Sequence, residues 1–93
     1  MDIATSKAIV RKVVGQALET TDPIKDDLAL VGNNSQLNSM GLVQVCLALE
    51  DEADEAGFEF DWTSDATMSK SRSMFKTVEA LATEFFEQWK KQQ

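Results

Sequence analysis

The sequence predicts a small all-α protein: a four-helix bundle with three main helices, one short helix, and a long loop between the first and second helices. Apolar residues recur at the helical period in three segments. One further segment alternates like a strand, but it has no partner strand. The chain of 93 residues has the length of one domain. We therefore treat residues 1–93 as a single domain.

The first helix is expected from about Ala4 to Thr20, where the approach to Pro23 ends it. Its apolar face comprises Ile3, Val10, Val13, Val14 and Ala17. A loop from about Asp22 to Asn38 follows and contains a strong turn cluster at residues 32–35. A loop of this length has to be held by its own apolar residues. The candidates are Leu28, Leu30, Val31 and Leu37.

The second helix is expected from Ser39 to about Ala56. Asn38 is suited to cap its first turn, and Gly57 is a natural C-terminal stop. The alternating segment that follows, Phe58 to Trp62, is interpreted as an extended connection with its aromatic side chains packed inward.

The last main helix is expected from about Thr77 to Lys91, and the short helix at about Asp65 to Lys70. Two lysines at the end of the last helix suit the negative end of its dipole. Its apolar face comprises Val78, Leu81, Ala82, Phe85, Phe86 and Trp89.

The composition excludes several functional classes. Sixteen acidic and nine basic side chains give a net charge of −7, which disfavours nucleic acid and anionic membranes and favours basic protein surfaces. The chain has no long apolar run and no signal-peptide pattern, so a cytoplasmic protein without membrane insertion is expected. We also expect it to be a monomer. Histidine is absent and Cys46 is the only cysteine, so a Ser/His/Asp or Cys/His catalytic arrangement is excluded. An enzyme built from carboxylates alone remains possible, but nothing in the sequence points to one. We therefore expect neither an enzyme nor a metal site.

The second helix carries two apolar stripes. One stripe has ordinary core spacing and comprises Leu42, Val45, Cys46, Leu49 and Ala53. The other lies roughly 140° away around the helix and comprises Met40, Val43 and Leu47. Periodicity leaves two explanations open for this second stripe: a wide core covered by the long loop, or a partner-docking surface with an acidic rim.

The stretch from Leu37 to Glu52 resembles the signature of the acyl carrier protein family. That signature is an acidic or amide residue, Ser, then Leu or Met, opening a helix that ends in a run such as Ala-Leu-Glu-Glu-Glu. The first helix, the long loop and the stretch from Phe75 to Leu81 also match this family, so the resemblance covers nearly the whole chain. It implies that Ser39 carries 4′-phosphopantetheine, attached from coenzyme A by a phosphopantetheinyl transferase. The arm's thiol would hold an acyl or aminoacyl cargo as a thioester for acyl-loading and acyl-transfer enzymes with basic docking surfaces.

The resemblance also assigns roles to other positions and favours docking for the second stripe. The implied partner-recognition residues are Asn38, Met40, Val43, Gln44, Leu47, Glu50 and Asp51. The residues implied to border an acyl pocket are Leu42, Cys46, Leu49, Phe75 and Leu81.

Three residues depart from the family pattern. Asn38 stands where Asp is common, and Gly41 and Gln44 stand where primary fatty-acid carriers often have acidic residues. These departures favour partners from a specialised pathway, such as polyketide or nonribosomal peptide synthesis, over fatty-acid synthase enzymes. Asn38 also keeps open a cofactor-free helical interaction module. A calcium-binding protein is disfavoured, because the acidic run at residues 50–55 falls on a predicted helix and not in a ligand loop.

Overall fold

The computed structural model describes residues 1–30, 37–62 and 75–93. These ranges contain three helices and no strand: α1 (Ile3–Ala17), α2 (Ser39–Ala56) and α3 (Val78–Lys91). The all-helical class is therefore confirmed, and α1 packs against both α2 and α3. The short helix expected at about Asp65 to Lys70 falls outside the described residues, so the four-helix arrangement stays a prediction.

Both ends of α2 form as the sequence predicts. Asn38 has an extended backbone (φ −86°, ψ 178°), and its Oδ1 accepts a hydrogen bond from the Gly41 N–H at 2.7 Å. This bond satisfies one of the N–H groups that a helix start leaves without an intrahelical partner. Gly57 ends the helix in the left-handed region at φ 84°, where a residue without Cβ is unstrained.

The first helix is shorter than its sequence suggests. It ends at Ala17, three residues before the predicted Thr20, because Glu19 takes a left-handed backbone with φ 54°. The turn is closed by a hydrogen bond from the Thr20 N–H to the Gly15 carbonyl at 3.1 Å. The predicted apolar face of α1 is also wrong at Ile3. This residue begins the helix and is 39% exposed.

The core lies where the three helices meet, with Phe85 of α3 fully buried. Phe58 packs edge-on against Phe85 with ring centroids 5.1 Å apart, and Phe60 packs against it at 5.3 Å. The buried apolar residues are Val10, Val13, Val14, Leu30, Val45, Cys46, Leu49, Ala53, Phe58, Phe60, Phe75, Val78, Leu81, Ala82 and Phe85. Of the predicted α3 face, Phe86 and Trp89 are only half-buried.

Polar side chains connect α1 to the other two helices. Ser6 is fully buried, and its hydroxyl donates to the carbonyl of Ala82 on α3 at 2.6 Å. The ammonium of Lys12 lies 2.6 Å from a carboxylate oxygen of Glu52 on α2. These contacts hold α1 in register against both partners.

The loop after α1 is joined to the start of α3. Ala29 and Thr77 form an isolated antiparallel bridge. The carboxylate of Asp26 accepts from Arg11 at 2.7 Å, and its carbonyl accepts from the Glu79 N–H at 2.8 Å. Of the apolar residues expected to hold this loop, Leu30 is fully buried and Leu28 and Leu37 are half-buried. Val31 falls outside the described residues.

The segment after α2 is extended, as predicted, and α3 supplies its hydrogen-bond partners. Phe58 and Phe60 face the core, and Trp62 is half-buried. The side chain of Gln88 bonds both backbone groups of Asp61: its Oε1 accepts from the N–H at 2.6 Å, and its Nε2 donates to the carbonyl at 2.7 Å. Gln92 bonds the N–H and the carbonyl of Glu59 in the same manner. The two side-chain amides thus take the place of a neighbouring strand.

Within the described ranges, no helix is both long and apolar enough to cross a membrane.

Candidate functional site

The start of α2 presents the positive end of a helix dipole. Ser39 is the first residue of the helix, directly after the exposed cap residue Asn38. The first turn contains no acidic side chain, whereas the first turn of α3 contains Glu79. The partial positive charge at the start of α2 is therefore not neutralised by its own first turn, which favours an anion there.

Gly41 is buried and closely packed in this first turn. A Cβ at this position would lie 3.0 Å from Cδ2 of Leu37 and 3.3 Å from the capping oxygen of Asn38. The absence of an acidic side chain at residue 41 thus has a local cause, because the cap and Leu37 occupy the space. The helix therefore bears the cost of a glycine in its first turn, which is up to ~1 kcal/mol of stability relative to alanine.

The second apolar stripe of α2 lies on the surface. The side chain of Met40 is 67% exposed, that of Leu47 50% and that of Val43 41%. The core stripe of the same helix is fully buried at Val45 and Leu49. Of the two explanations for the second stripe, the wide core is therefore wrong, because these three side chains are exposed and not part of the core.

The predicted polar recognition residues share this exposed face. Gln44, Glu50 and Asp51 are all exposed, and Asp54 is exposed one turn further along. The indole N–H of Trp62 donates to a carboxylate oxygen of Glu50 at 2.8 Å, which fixes that side chain. The face therefore changes from apolar near Ser39 to acidic near the end of α2.

The five residues predicted to border an acyl pocket lie together in the core or against it. Cys46, Leu49, Phe75 and Leu81 are buried, and Leu42 is half-buried against the same cluster. Their role towards an acyl chain stays a prediction. Desolvation by burial, with a contribution from the nearby Glu50, raises the pKa of the Cys46 thiol to about 12. Cys46 is therefore a protonated core residue at neutral pH and a poor nucleophile.

One residue near this face was not singled out from the sequence: Glu59, which is exposed on the extended segment beside the end of α2. Trp62 was expected to pack inward with the other aromatic residues, but it is only half-buried and contacts Glu50. The available signal was the pair Gln88 and Gln92, one helical turn apart in α3, together with the alternation of the segment after α2. Because those glutamines pair with the backbone of this segment, they fix which of its side chains face outward.

No group of three or more His, Cys, Asp or Glu side chains in the described part of the chain is arranged to hold a metal ion. The acidic residues at the end of α2 lie on a regular helix, which agrees with the sequence-based argument against a calcium loop.

Comparisons with protein-family models, curated proteins and solved structures give no match to this chain. The function is therefore inferred from its own residues and their placement.

Proposed function

We propose that this protein is an acyl carrier protein that bears 4′-phosphopantetheine on Ser39. The observation that carries the proposal is the build of α2. The helix begins at Ser39 behind an Asn38 cap, buries one apolar stripe, and exposes a second one that comprises Met40, Val43 and Leu47. A bundle helix with a modifiable residue at its start and an exposed apolar face is suited to bring a tethered cargo to other proteins.

The chemistry expected of a carrier agrees with this placement. A phosphodiester on Ser39 would carry its negative charge at a helix N-terminus, where the dipole and free N–H groups favour an anion. Cys46 is buried with a raised pKa, so the thioester would form on the thiol of the arm. The chain itself would catalyse nothing; the arm would raise the effective concentration of cargo at each partner enzyme.

The finer features of the carrier belong to the same proposal. The residues from about Asp65 to Lys70, which lie outside the described ranges, would supply the short fourth helix of a four-helix bundle. The partners would be a phosphopantetheinyl transferase and acyl-loading or acyl-transfer enzymes of a specialised pathway with basic docking surfaces. The protein would act as a cytoplasmic monomer and would not bind nucleic acid, in keeping with its net charge of −7.

Modification by a transferase tests the proposal directly. The wild-type chain and Ser39→Ala are incubated with coenzyme A and a broad-specificity phosphopantetheinyl transferase, and intact masses are measured. We expect the wild type to gain one phosphopantetheinyl group and Ser39→Ala to gain none. No gain in the wild type, or a gain that persists in Ser39→Ala, would reject the carrier assignment.

A cofactor-free interaction module is the second candidate, and two observations favour it. The exposed stripe of α2 is available for a partner whether or not Ser39 is modified. Asn38 also lacks the negative charge that a transferase meets in most carriers. A chain that stays unmodified in the mass experiment but still binds partners through α2 would have this function.

A further inference from the structure

The backbone of the extended segment has two edges, and α3 occupies one of them. The amide of Gln92 bonds both the N–H and the carbonyl of Glu59. The amide of Gln88 bonds both groups of Asp61. Residues two positions apart direct their backbone groups to the same edge of a strand, and the residue between them directs its own groups to the opposite edge. The N–H and the carbonyl of Phe60 therefore point away from α3.

The opposite edge of the segment lies towards the end of α2. There the N–H of Phe58 donates to the carbonyl of Ala53 at 2.9 Å, and Phe60 lines the groove that Asp51 and Asp54 border. In the described part of the chain, neither the N–H nor the carbonyl of Phe60 has a hydrogen-bond partner. We call these two backbone groups, with the groove beside them, the open edge.

An open edge of this kind favours pairing with another extended chain. Phe60 is only 5% exposed, and buried backbone groups are nearly always paired because leaving them unpaired costs about as much as a lost hydrogen bond. One donor and one acceptor on the same residue match one residue of an antiparallel strand, which exchanges both bonds with its opposite neighbour. The unpaired groups of a strand edge therefore act as a template for an added strand.

The register of such an added strand determines which side chains meet. If one partner residue lies opposite Phe60, the residues before and after it lie opposite Glu59 and Asp61. Both carboxylates are exposed, and side chains of directly opposite residues lie on the same face of the pair. Lysine or arginine at the two flanking positions would therefore form cross-strand pairs with opposite charges.

A second copy of the chain fits the open edge poorly. If the Phe60 residues of two copies exchanged both bonds about a two-fold axis, Glu59 of each copy would lie opposite Asp61 of the other. Like charges directly opposite each other destabilise a strand pair. The charge of the extended segment thus favours a different protein with basic residues over a homodimer.

We propose that the open edge binds an extended segment of a partner protein by strand addition. One partner residue exchanges both backbone hydrogen bonds with Phe60, and a basic residue on either side of it lies opposite Glu59 or Asp61. The contact uses neither the second apolar stripe of α2 nor an arm on Ser39. It is therefore a second interaction site, separate from the proposed carrier function.

Hydrogen exchange of the ¹⁵N-labelled full chain tests whether a strand closes the open edge. The probe is an eight-residue peptide of alternating threonine and lysine, with blocked ends. In the free chain, the amide of Phe60 should exchange faster than those of Glu59 and Asp61, which are bonded to α3. Saturating peptide should slow the exchange of the Phe60 amide about tenfold, the effect of one added hydrogen bond, and leave the other two unchanged.

Two methylated peptides separate backbone pairing from attraction between charges. One carries N-methyl groups on all its threonines and the other on all its lysines, so their composition and charge are identical. The threonines are the residues expected opposite Phe60, because the lysines then lie opposite the carboxylates. Methylation of the threonines removes the donor to the Phe60 carbonyl and should raise the Kd at least about tenfold. Methylation of the lysines, whose N–H groups point away from Phe60, should leave the Kd close to that of the unmodified peptide.

A neutral variant of Glu59 tests the register of the side chains. Glu59→Gln should raise the Kd of the unmodified peptide about two- to fivefold, the effect of one cross-strand charge pair. Glu79→Gln is the matched control, because it makes the same change at an exposed carboxylate in the first turn of α3. Gln92, which holds Glu59, caps the opposite end of that helix. We expect the Kd of Glu79→Gln to equal that of the wild type.

Several results would overturn the inference. They are equal binding of the two methylated peptides, equal effects of Glu59→Gln and Glu79→Gln, and no added protection of the Phe60 amide by the peptide. Protection of that amide that rises with protein concentration in the absence of peptide would assign the open edge to a second copy of the chain. If Ser39 is modified normally but the peptide does not bind, this inference fails and the carrier function stands. If the peptide binds as expected but Ser39 is never modified, the open edge stands and the carrier function fails.

Discussion

Gln88 of α3 and Asp61 of the extended segment form a reciprocal pair: the amide of Gln88 bonds both the N–H and the carbonyl of the Asp61 backbone, at 2.6 and 2.7 Å. Gln88 is buried, and its Nε2 also lies 3.2 Å from a carboxylate oxygen of Glu84. The segment that carries Phe58 and Phe60 into the core is thus held by side-chain amides in place of a strand. The position of Glu59 beside the end of α2 depends on the same kind of pairing, with Gln92.

Gln88→Glu should therefore destabilise the fold. The substitution keeps the size of the side chain but removes the donor to the Asp61 carbonyl and places a second carboxylate beside Glu84. Loss of a buried hydrogen bond of this kind costs about 1–3 kcal/mol. Urea unfolding followed by circular dichroism measures the change in the free energy of unfolding.

Gln16→Glu is the control for that measurement. Gln16 is exposed on α1, and the same change there should alter the free energy of unfolding by less than about 0.5 kcal/mol. Equal effects of the two variants would mean that the Gln88 pair contributes nothing specific.

How far the sequence predicts this molecule differs from element to element. The bounds of α2 follow from its sequence because both ends carry strong local signals, an Asn cap and a terminal Gly. The end of α1 does not, because it depends on a left-handed Glu19, a residue type that gives no such signal. A local sequence pattern cannot predict the pairing of Gln88 with Asp61, because these residues are 27 positions apart.

The same distinction applies to the candidate site. Helical periodicity separates the two stripes of α2 but cannot say which is covered, since that depends on where the loop and α1 lie. Exposure of Met40 and Leu47 decides it. Gly41 gives a second example. A glycine at this position suggests only a weak helix start, whereas the structure shows that Leu37 and Asn38 fill the space beside it.

Gly41→Ala should lower stability despite the better helix propensity of alanine. The added methyl would press on Leu37 and on the oxygen of Asn38 that caps the Gly41 N–H itself. Disturbing such a cap costs about 0.5–2 kcal/mol, and together with the close contact to Leu37 this should exceed the gain of up to ~1 kcal/mol from propensity. Thermal unfolding of Gly41→Ala, Leu37→Ala and the double variant forms a mutant cycle. A favourable coupling in the double variant is expected, and strict additivity would show that the two side chains do not compete for space.

Burial of Cys46 predicts a loss of stability at alkaline pH. The folded-state pKa of its thiol is raised from 9.0 to about 12, so the folded chain holds this proton more tightly than the unfolded chain. The resulting stabilisation is complete below pH 9 and is lost as the pH rises towards 12, at up to about 1.4 kcal/mol per pH unit. Urea midpoints at a series of pH values measure this slope. Cys46→Ala should be less stable at neutral pH but show a shallower alkaline decline, and an unchanged slope would contradict the assignment.

Thiol labelling should distinguish the thiol of a phosphopantetheine arm from the thiol of Cys46. In the unmodified folded chain, Cys46 is buried and protonated, so iodoacetamide at pH 8 should leave it unlabelled over the time in which it labels the urea-unfolded chain completely. After treatment with coenzyme A and a transferase, one label per chain should appear, located on the arm at Ser39 by mass mapping. Rapid labelling of Cys46 in the native unmodified chain would show that the core opens more readily than its packing indicates.

Under the carrier function proposed above, Asn38 should limit the rate at which Ser39 is modified without weakening the helix. Asn and Asp cap helices about equally well, so Asn38→Asp should keep the hydrogen bond to the Gly41 N–H and change the free energy of unfolding by less than about 0.5 kcal/mol. The new carboxylate would restore the charge that carrier transferases meet beside the serine, so we expect faster modification by a broad-specificity transferase, measured by intact mass over time. Asn38→Ala separates the two roles of this residue: it should lower stability by about 1 kcal/mol through loss of the cap and leave the charge unchanged. If Asn38→Asp and the wild type are modified at the same rate, the neutral residue at this position does not set the partner choice, and the case for a specialised pathway then rests on Gly41 and Gln44.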